Sequence, residues 1–138
     1  MTIFKPLDER TLVAGQIDVA DLEEARRQGV TMVVNNRPDG EDEGQPTSDS
    51  LQAAAEAAGL DYRHIPIARG MGPAQIEEMH SAMSELGEGG KMLAFCRSGM
   101  RSTLAWAVAC RENGVARDEL ERRAAEAGYS LSAVDHLL

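Results

Sequence analysis

The sequence predicts an α/β protein whose mostly parallel sheet of four to five strands carries helices on both faces. Short apolar runs alternate with helical patterns along the 138 residues, which is how strand–helix–strand units build a parallel sheet. The run over residues 30–34 is apolar and β-branched, as expected of a strand buried on both faces. At this length we expect one domain, residues 1–138, that folds without disulfides or metal.

The first half of the chain predicts three strands and two helices. Strands are expected at residues 11–15, 30–34 and 61–67. A helix over residues 19–28 has Asp18 as its cap and Gly29 as its stop, since a short polar side chain satisfies the first amides and glycine ends helices. Thr47 or Ser48 caps an alanine-rich helix that runs to residue 58.

The second half predicts one central strand and four helices. Pro73 suits the first turn of a helix over residues 73–86. A short apolar run then forms the central strand and ends at Cys96. Further helices are expected at residues 102–113, 117–127 and 131–138, so that strands and helices alternate through most of the chain.

Composition excludes several functions. The formal net charge of −9 disfavours nucleic acid as a partner, because phosphate binding needs a basic face. No apolar run is long enough for a membrane span, and two cysteines are too few for a disulfide framework, so we expect a cytoplasmic protein. Cys110 is expected in the core. No metal site and no cofactor are expected, because the three histidines are scattered: His64, His80 and His136.

The stretch that follows the central strand carries the chemistry. A thiolate nucleophile needs nearby positive charge, which backbone amides, a helix N-terminus and arginines supply. We therefore predict Cys96 as nucleophile, Arg101 as the oxyanion-binding fork and Ser102 as a hydroxyl donor to the sulfur or a leaving group. The remaining residues of this loop are predicted to bind the anion: Arg97, Ser98, Gly99 and Met100.

A long polar loop over residues 35–46 has two interpretations. Acidic loops usually face water, which favours a solvated surface loop. Ligands of α/β sheets bind where strands end, which favours a role for Arg37 or Asp39 over the cysteine loop. Arg69, after the next strand, is a further candidate for positioning an anion.

The cysteine loop and the scaffold resemble two different families. Cys-Arg-Ser-Gly-Met-Arg is similar to the active-site loop of single-domain rhodaneses, and the loop of cysteine phosphatases has one residue more between cysteine and arginine. The Asn-Arg-Pro-Asp loop and the Tyr-x-x-Ile-Pro-Ile strand resemble the phosphatase-like domains of β-lactamase-hydrolase-like proteins. That resemblance implies a cysteine-phosphatase-like fold and, as a possible partner, a sulfur dioxygenase.

Two departures from the phosphatase pattern decide which functional hypothesis ranks first. The cysteine loop is shorter, and residues 68–73 contain no carboxylate to act as general acid, although Asp39 or Asp42 could substitute. The leading hypothesis is therefore a sulfurtransferase that forms a persulfide on Cys96 and passes sulfur to an acceptor thiol. The alternatives are a phosphatase that forms a phosphocysteine on Cys96 and a non-catalytic anion-binding module.

Overall fold

The structure, a computed structural model, describes residues 2–138 and contains a mixed five-stranded sheet. The strands are β1 (Lys5–Asp8), β2 (Thr11–Ala14), β3 (Met32–Asn35), β4 (Asp61–His64) and β5 (Met92–Phe95). Their spatial order is β1-β2-β5-β3-β4. All neighbours are parallel except β1, which runs antiparallel to β2. The predicted mostly parallel sheet is confirmed.

Strand β1 was not predicted, because its sequence Lys-Pro-Leu-Asp disfavours a strand. Its position at the edge of the sheet explains why it forms. A proline is tolerated on an edge strand, where its missing N–H breaks no internal ladder. Only Leu7 of this strand is buried, so the segment lacks the alternating pattern that a half-buried strand shows.

Five α-helices connect or flank the strands. They are α1 (Val19–Arg27), α2 (Ser48–Ala57), α3 (Pro73–Ser84), α4 (Met100–Glu112) and α5 (Arg117–Glu126). The predicted last helix is instead a 3-10 helix over Ser132–Leu137. Helix α4 starts two residues before its predicted start, because Gly99 takes a left-handed conformation and serves as its N-cap. None of the helices over residues 2–138 is long and apolar enough to cross a bilayer.

Helices cover both faces of the sheet, as predicted. Alternate strand residues point to opposite faces, so Val33 and Leu93 pack with helices α1 and α2 through Leu22 and Leu51. Their chain neighbours face the other way and pack with helices α3 and α4, in a cluster that contains Met32, Val34, Met92, Ala94, Met79 and Ala105. Helix α5 and the 3-10 helix pack on the outer side of α4, where Trp106 and Leu120 are fully buried.

The ends of three parallel strands position the candidate site. Phe95 of β5 pairs with Ala14 of β2 and with Asn35 of β3. The next residues along each strand therefore emerge at one edge of the sheet. The Asn36 amide donates to the Phe95 carbonyl at 2.8 Å. A β-carbon on Gly15 would lie 3.0 Å from the Arg97 carbonyl oxygen, so glycine lets the β2 end approach the cysteine loop closely.

Candidate active site

The sulfur of Cys96 lies at the base of the loop between β5 and α4. Cys96 is fully buried, and the Gly99 N–H donates to its Sγ at 3.1 Å. Gly99 has a φ of +92°, a left-handed conformation that turns its amide inward and that other residues resist. The first turn of α4 follows directly, so its positive N-terminal end lies beside the sulfur. Both features place positive electrostatic potential around the sulfur.

Tyr129, from the C-terminal part of the chain, packs against the outside of this loop. Its hydroxyl donates to the Ser98 carbonyl at 2.9 Å, and a β-carbon on Gly99 would overlap the hydroxyl. Partial burial raises the pKa of Tyr129, and the electrostatic influence of the nearby Cys96 raises it further. The loop conformation is therefore supported both by glycine and by a distant side chain.

Arg101 lies in the first turn of α4 and already holds an anionic group. Its Nη1 and Nη2 atoms donate to the two carboxylate oxygens of Glu41, each at 2.8 Å, and Nη1 also donates to the Ile67 carbonyl at 2.7 Å. The hydrogen bonds to Glu41 raise the pKa of Arg101, and the charge of the Cys96 sulfur adds to that rise. The guanidinium therefore holds the carboxylate and lies within electrostatic range of the sulfur.

The Glu41 carboxylate is correspondingly acidic. Hydrogen bonds from Arg101, and secondarily from Arg37, lower the pKa of Glu41 to about 2, against a partial desolvation that acts in the opposite direction. Glu41 is therefore ionised at neutral pH while this pair is intact. The fork that the sequence predicts to bind the oxyanion of a substrate is occupied here by a carboxylate of the protein itself.

Ser102 is buried and donates its hydroxyl proton to Asn36 Oδ1 at 2.8 Å. The predicted donation to the sulfur is not seen here, since a hydroxyl has a single proton to donate. Asn36 in turn donates from Nδ2 to the Ile65 carbonyl at 3.0 Å. This chain of bonds joins the start of α4 to the ends of β3 and β4.

The long polar loop folds over the cysteine loop through its acidic residues. Arg37 is 3% exposed and donates to Glu41 at 2.9 Å, to Gln16 at 2.9 Å and to Asp42 at 2.7 Å. Asp42 also lies 3.6 Å from the Arg97 guanidinium. Arg37 thus contacts the cysteine loop indirectly, by holding the two carboxylates that meet Arg97 and Arg101.

The remaining residues predicted for the site lie in different parts of its surroundings. Asp39 Oδ1 accepts the Ser48 amide at 2.8 Å, which satisfies a free donor at the start of α2. Arg97 and Ser98 are exposed, while Met100 is partly buried. Arg69 follows β4 and lines a cavity of about 510 Å³ together with Arg101.

Cys110 is buried in helix α4, as predicted. Burial is the main reason that its pKa is raised to about 12, so it stays a neutral thiol. Among residues 2–138, no group of three or more His, Cys, Asp or Glu side chains is placed to hold a metal ion.

Sequence reasoning missed four residues that shape the site: Gln16, Asn36, Glu41 and Tyr129. Asn36 had a usable signal, because it follows a buried strand at the edge where ligands bind. Glu41 is four residues from Arg37, but it lies in a loop, where that spacing predicts no contact. Tyr129 is 31 residues from Ser98, and no pattern connects the two.

Comparison with known proteins identifies relatives over most of the chain. Residues 4–112 match the family model described as "Beta-lactamase hydrolase-like protein, phosphatase-like domain". A beta-lactamase hydrolase-like protein from Agrobacterium fabrum is 33% identical over 137 residues, which are 96% of this chain and 31% of the relative. A protein of the same name from Xylella fastidiosa is 33% identical over 127 residues, 91% of this chain and 29% of the relative. The chain thus spans about a third of these relatives.

Solved structures confirm the predicted cysteine-phosphatase-like fold. A crystal structure from Neisseria meningitidis Z2491, described as a "putative phosphatase", has a TM-score of 0.81 and 30% identity over 96% of both chains. Tk-PTP in its active form has a TM-score of 0.75 and 22% identity over 97% of this chain and 95% of its own. PTPMT1 has a TM-score of 0.77 and 14% identity over 98% of this chain and 91% of its own. At such low identity, the last two likenesses show the fold alone.

Proposed function

The chain belongs to this family of phosphatase-like domains, and we propose that it is a cysteine-dependent phosphatase that hydrolyses phosphomonoesters through a phosphocysteine on Cys96. The observation that carries the proposal is the Arg101 fork, which binds two oxygens of one anionic group at 2.8 Å each next to the Cys96 sulfur. A phosphoryl group presents its oxygens in the same paired way. The match to a phosphatase-like family and the 30% identity to a protein described as a putative phosphatase favour phosphoryl transfer over sulfur transfer, which reverses the order of the two sequence-based hypotheses.

The proposed reaction has two displacement steps. The Cys96 thiolate attacks phosphorus, a P–S bond forms, the P–O bond to the leaving group breaks, and the released oxygen takes a proton from solvent water. Water then attacks the phosphocysteine, the P–S bond breaks, and the thiolate and inorganic phosphate are released. The Gly99 N–H, the N-terminal end of α4 and Arg101 would stabilise negative charge throughout.

Three carboxylates of the loop over residues 35–46 are engaged by other groups of the protein. Glu41 has a pKa of about 2 in its pair with Arg101, Asp39 accepts the Ser48 amide, and Asp42 is held by Arg37 and Arg97. General acid catalysis contributes about 10²–10⁴-fold. We therefore expect preference for aryl phosphates, whose leaving groups need little protonation, over alkyl phosphates.

The test is hydrolysis of an aryl phosphate by the wild type, Cys96→Ser and Cys110→Ser. We expect turnover by the wild type and by Cys110→Ser, the control for loss of a buried thiol, and none by Cys96→Ser. Acid quenching followed by mass spectrometry should show a phosphoryl group on the peptide that contains Cys96. Inactivity of the folded wild type with every aryl phosphate tried would refute the proposal.

Sulfur transfer is the second candidate, favoured by the four residues between Cys96 and Arg101, the rhodanese-type spacing. The Cys96 thiolate would attack the outer sulfur of thiosulfate, form a persulfide and release sulfite, after which an acceptor thiol would take the outer sulfur. A sulfur dioxygenase as partner belongs to this candidate. Sulfite release from thiosulfate that is lost in Cys96→Ser, without aryl phosphate turnover, would place this reaction first. Anion binding that survives in Cys96→Ser, with neither turnover, would indicate a binding module.

A further inference from the structure

The cavity beside Arg101 differs in charge from four other cavities formed by residues 2–138. It measures about 510 Å³ and lies between the connection from β4 to α3 and the 3-10 helix. Its lining contains no acidic residue, although the protein has a formal net charge of −9. Four other cavities each have two or three acidic residues in their walls. This cavity is therefore suited to an anionic ligand, while those four are not.

Arg69, in the wall of this cavity, has no side-chain hydrogen bond or ion pair with any of residues 2–138. Among residues 2–138, each of the other eleven arginines makes a side-chain hydrogen bond or an ion pair. Arg69 makes neither, and it shares the wall with His136, whose ring can also donate a hydrogen bond. Two exposed donors thus face the same cavity without an internal acceptor.

The rest of the lining is largely apolar. Met71, Leu104, Val134 and Leu137 contribute side chains to it, and apolar walls bind the carbon skeleton of a ligand while a few polar groups orient it. Arg101 belongs to the same wall and donates to the Ile67 carbonyl, another part of the lining, at 2.7 Å. The cavity therefore begins at the guanidinium that would hold the reacting group.

From these contacts we infer that the cavity is a subsite for a substrate with a second anionic group, joined to its phosphoryl group by a compact apolar skeleton. The phosphoryl group lies on Arg101, the skeleton on the apolar wall, and the second anion, such as a carboxylate, on Arg69 with His136 beside it. The inference rests on the proposed phosphatase function for the reacting group. It adds the class of the substrate: a phosphomonoester that carries a further anionic group, rather than a simple aryl phosphate.

The experiment uses phosphonates, whose C–P bond is not hydrolysed, so binding is measured apart from turnover. Isothermal titration calorimetry would compare phenylphosphonate with its 3-carboxy and 4-carboxy derivatives on the wild type, Arg69→Met and His136→Gln. Arg122→Met is the matched control, because Arg122 is an exposed arginine on α5 outside this cavity. We expect at least one carboxylated probe to bind the wild type and Arg122→Met about 5- to 10-fold more tightly than phenylphosphonate, since charge-assisted hydrogen bonds are the stronger ones.

The test of the subsite is the affinity of the better carboxylated probe divided by the affinity of phenylphosphonate. It should fall to about one in Arg69→Met and decrease in His136→Gln. Equal binding of all three probes by the wild type, no binding of any probe, or a ratio that persists in Arg69→Met would overturn the subsite. If the carboxylated probe is preferred but no aryl phosphate is hydrolysed, the proposed phosphatase function fails and the subsite stands.

Discussion

The carboxylate of Glu41 lies in the guanidinium fork of Arg101, with each of its oxygens 2.8 Å from one of the two terminal nitrogens. The fork is the group that an anionic substrate needs, and the Cys96 sulfur beside it is fully buried. A substrate anion must therefore displace Glu41 or share Arg101 with it. Arg37 and the loop over residues 35–46 hold Glu41 in place, so under the proposed function we expect this loop to compete with the substrate for the fork.

Replacing Glu41 by Gln should strengthen anion binding. The neutral amide competes less with an oxyanion for Arg101 and adds no like-charge repulsion. We expect inorganic phosphate to bind Glu41→Gln about fivefold more tightly, a gain of about 1 kcal/mol, which is the upper end for one partly exposed charged pair. Isothermal titration calorimetry would measure the dissociation constant.

Glu43→Gln is the control, because Glu43 lies on the same loop and is exposed. It removes the same formal charge and should change phosphate affinity far less than Glu41→Gln. Weaker phosphate binding by Glu41→Gln would contradict the competition. It would show instead that Glu41 is required to orient Arg101 for substrate.

The Glu41–Arg101 pair also makes stability depend on acidity. The pKa of Glu41 is about 2 in the folded protein against an ordinary value of 4.5. A lowered pKa in the folded state contributes stability that is fully present above pH 4.5 and is lost as the pH falls towards 2. The side chain of Glu41 is 27% exposed, so solvent screening reduces this contribution to on the order of 1–2 kcal/mol.

The free energy of unfolding in urea, measured between about pH 6 and pH 2, would test this dependence. Wild type and Glu43→Gln should lose stability across the acidic range, and Glu41→Gln should lose on the order of 1–2 kcal/mol less. If the free energy of unfolding depends on pH in the same way for the wild type and Glu41→Gln, the Glu41–Arg101 pair does not lower the pKa of Glu41 in solution.

The conformation of Gly99 should be essential to the loop. Gly99→Ala would strain a residue with a φ of +92° and would place a methyl group against the Tyr129 hydroxyl. Gly114→Ala is the matched control: Gly114 has a φ of +90° but open space around its α-carbon. Backbone strain costs about 1–3 kcal/mol in both variants, and only Gly99→Ala adds the overlap.

Thermal unfolding and aryl phosphate turnover would separate these effects. We expect both variants to unfold at lower temperature, with the larger decrease for Gly99→Ala, and only Gly99→Ala to lose turnover, because it moves the amide that donates to Cys96 Sγ. Equal loss of stability and retained activity in both variants would refute a special role for Gly99.

The sequence predicted those features whose signals are local. The parallel strands appear as apolar runs, and Cys96, Gly99 and Arg101 occur within six consecutive residues, so their grouping needs no tertiary knowledge. Glu41 and Arg101 are 60 residues apart, and their contact depends on how a non-repetitive loop closes over the sheet edge. Strand β1 was missed for a related reason, since only its position at the edge, next to β2, lets a sequence containing Pro6 form a strand.

The predicted catalytic role of Ser102 can be separated from its structural role. Ser102→Ala removes the donor to Asn36 Oδ1, a buried acceptor, and an unsatisfied buried group costs about 1–3 kcal/mol. Ser48→Ala is the control, because the Ser48 hydroxyl is also buried and pairs with the Tyr62 hydroxyl at 2.8 Å, away from the cysteine loop. We expect a similar loss in the free energy of unfolding for the two variants.

Turnover should distinguish them, since only Ser102 lies in the first turn of α4 beside Arg101. If Ser102 assists the departing group or the sulfur during the reaction, Ser102→Ala should lower kcat by about 10-fold or more, while KM for an aryl phosphate stays nearly constant. Ser48→Ala should keep the wild-type kcat at a temperature where both variants are folded. A normal kcat in Ser102→Ala would restrict Ser102 to holding Asn36, and with it the ends of β3 and β4, against the start of α4.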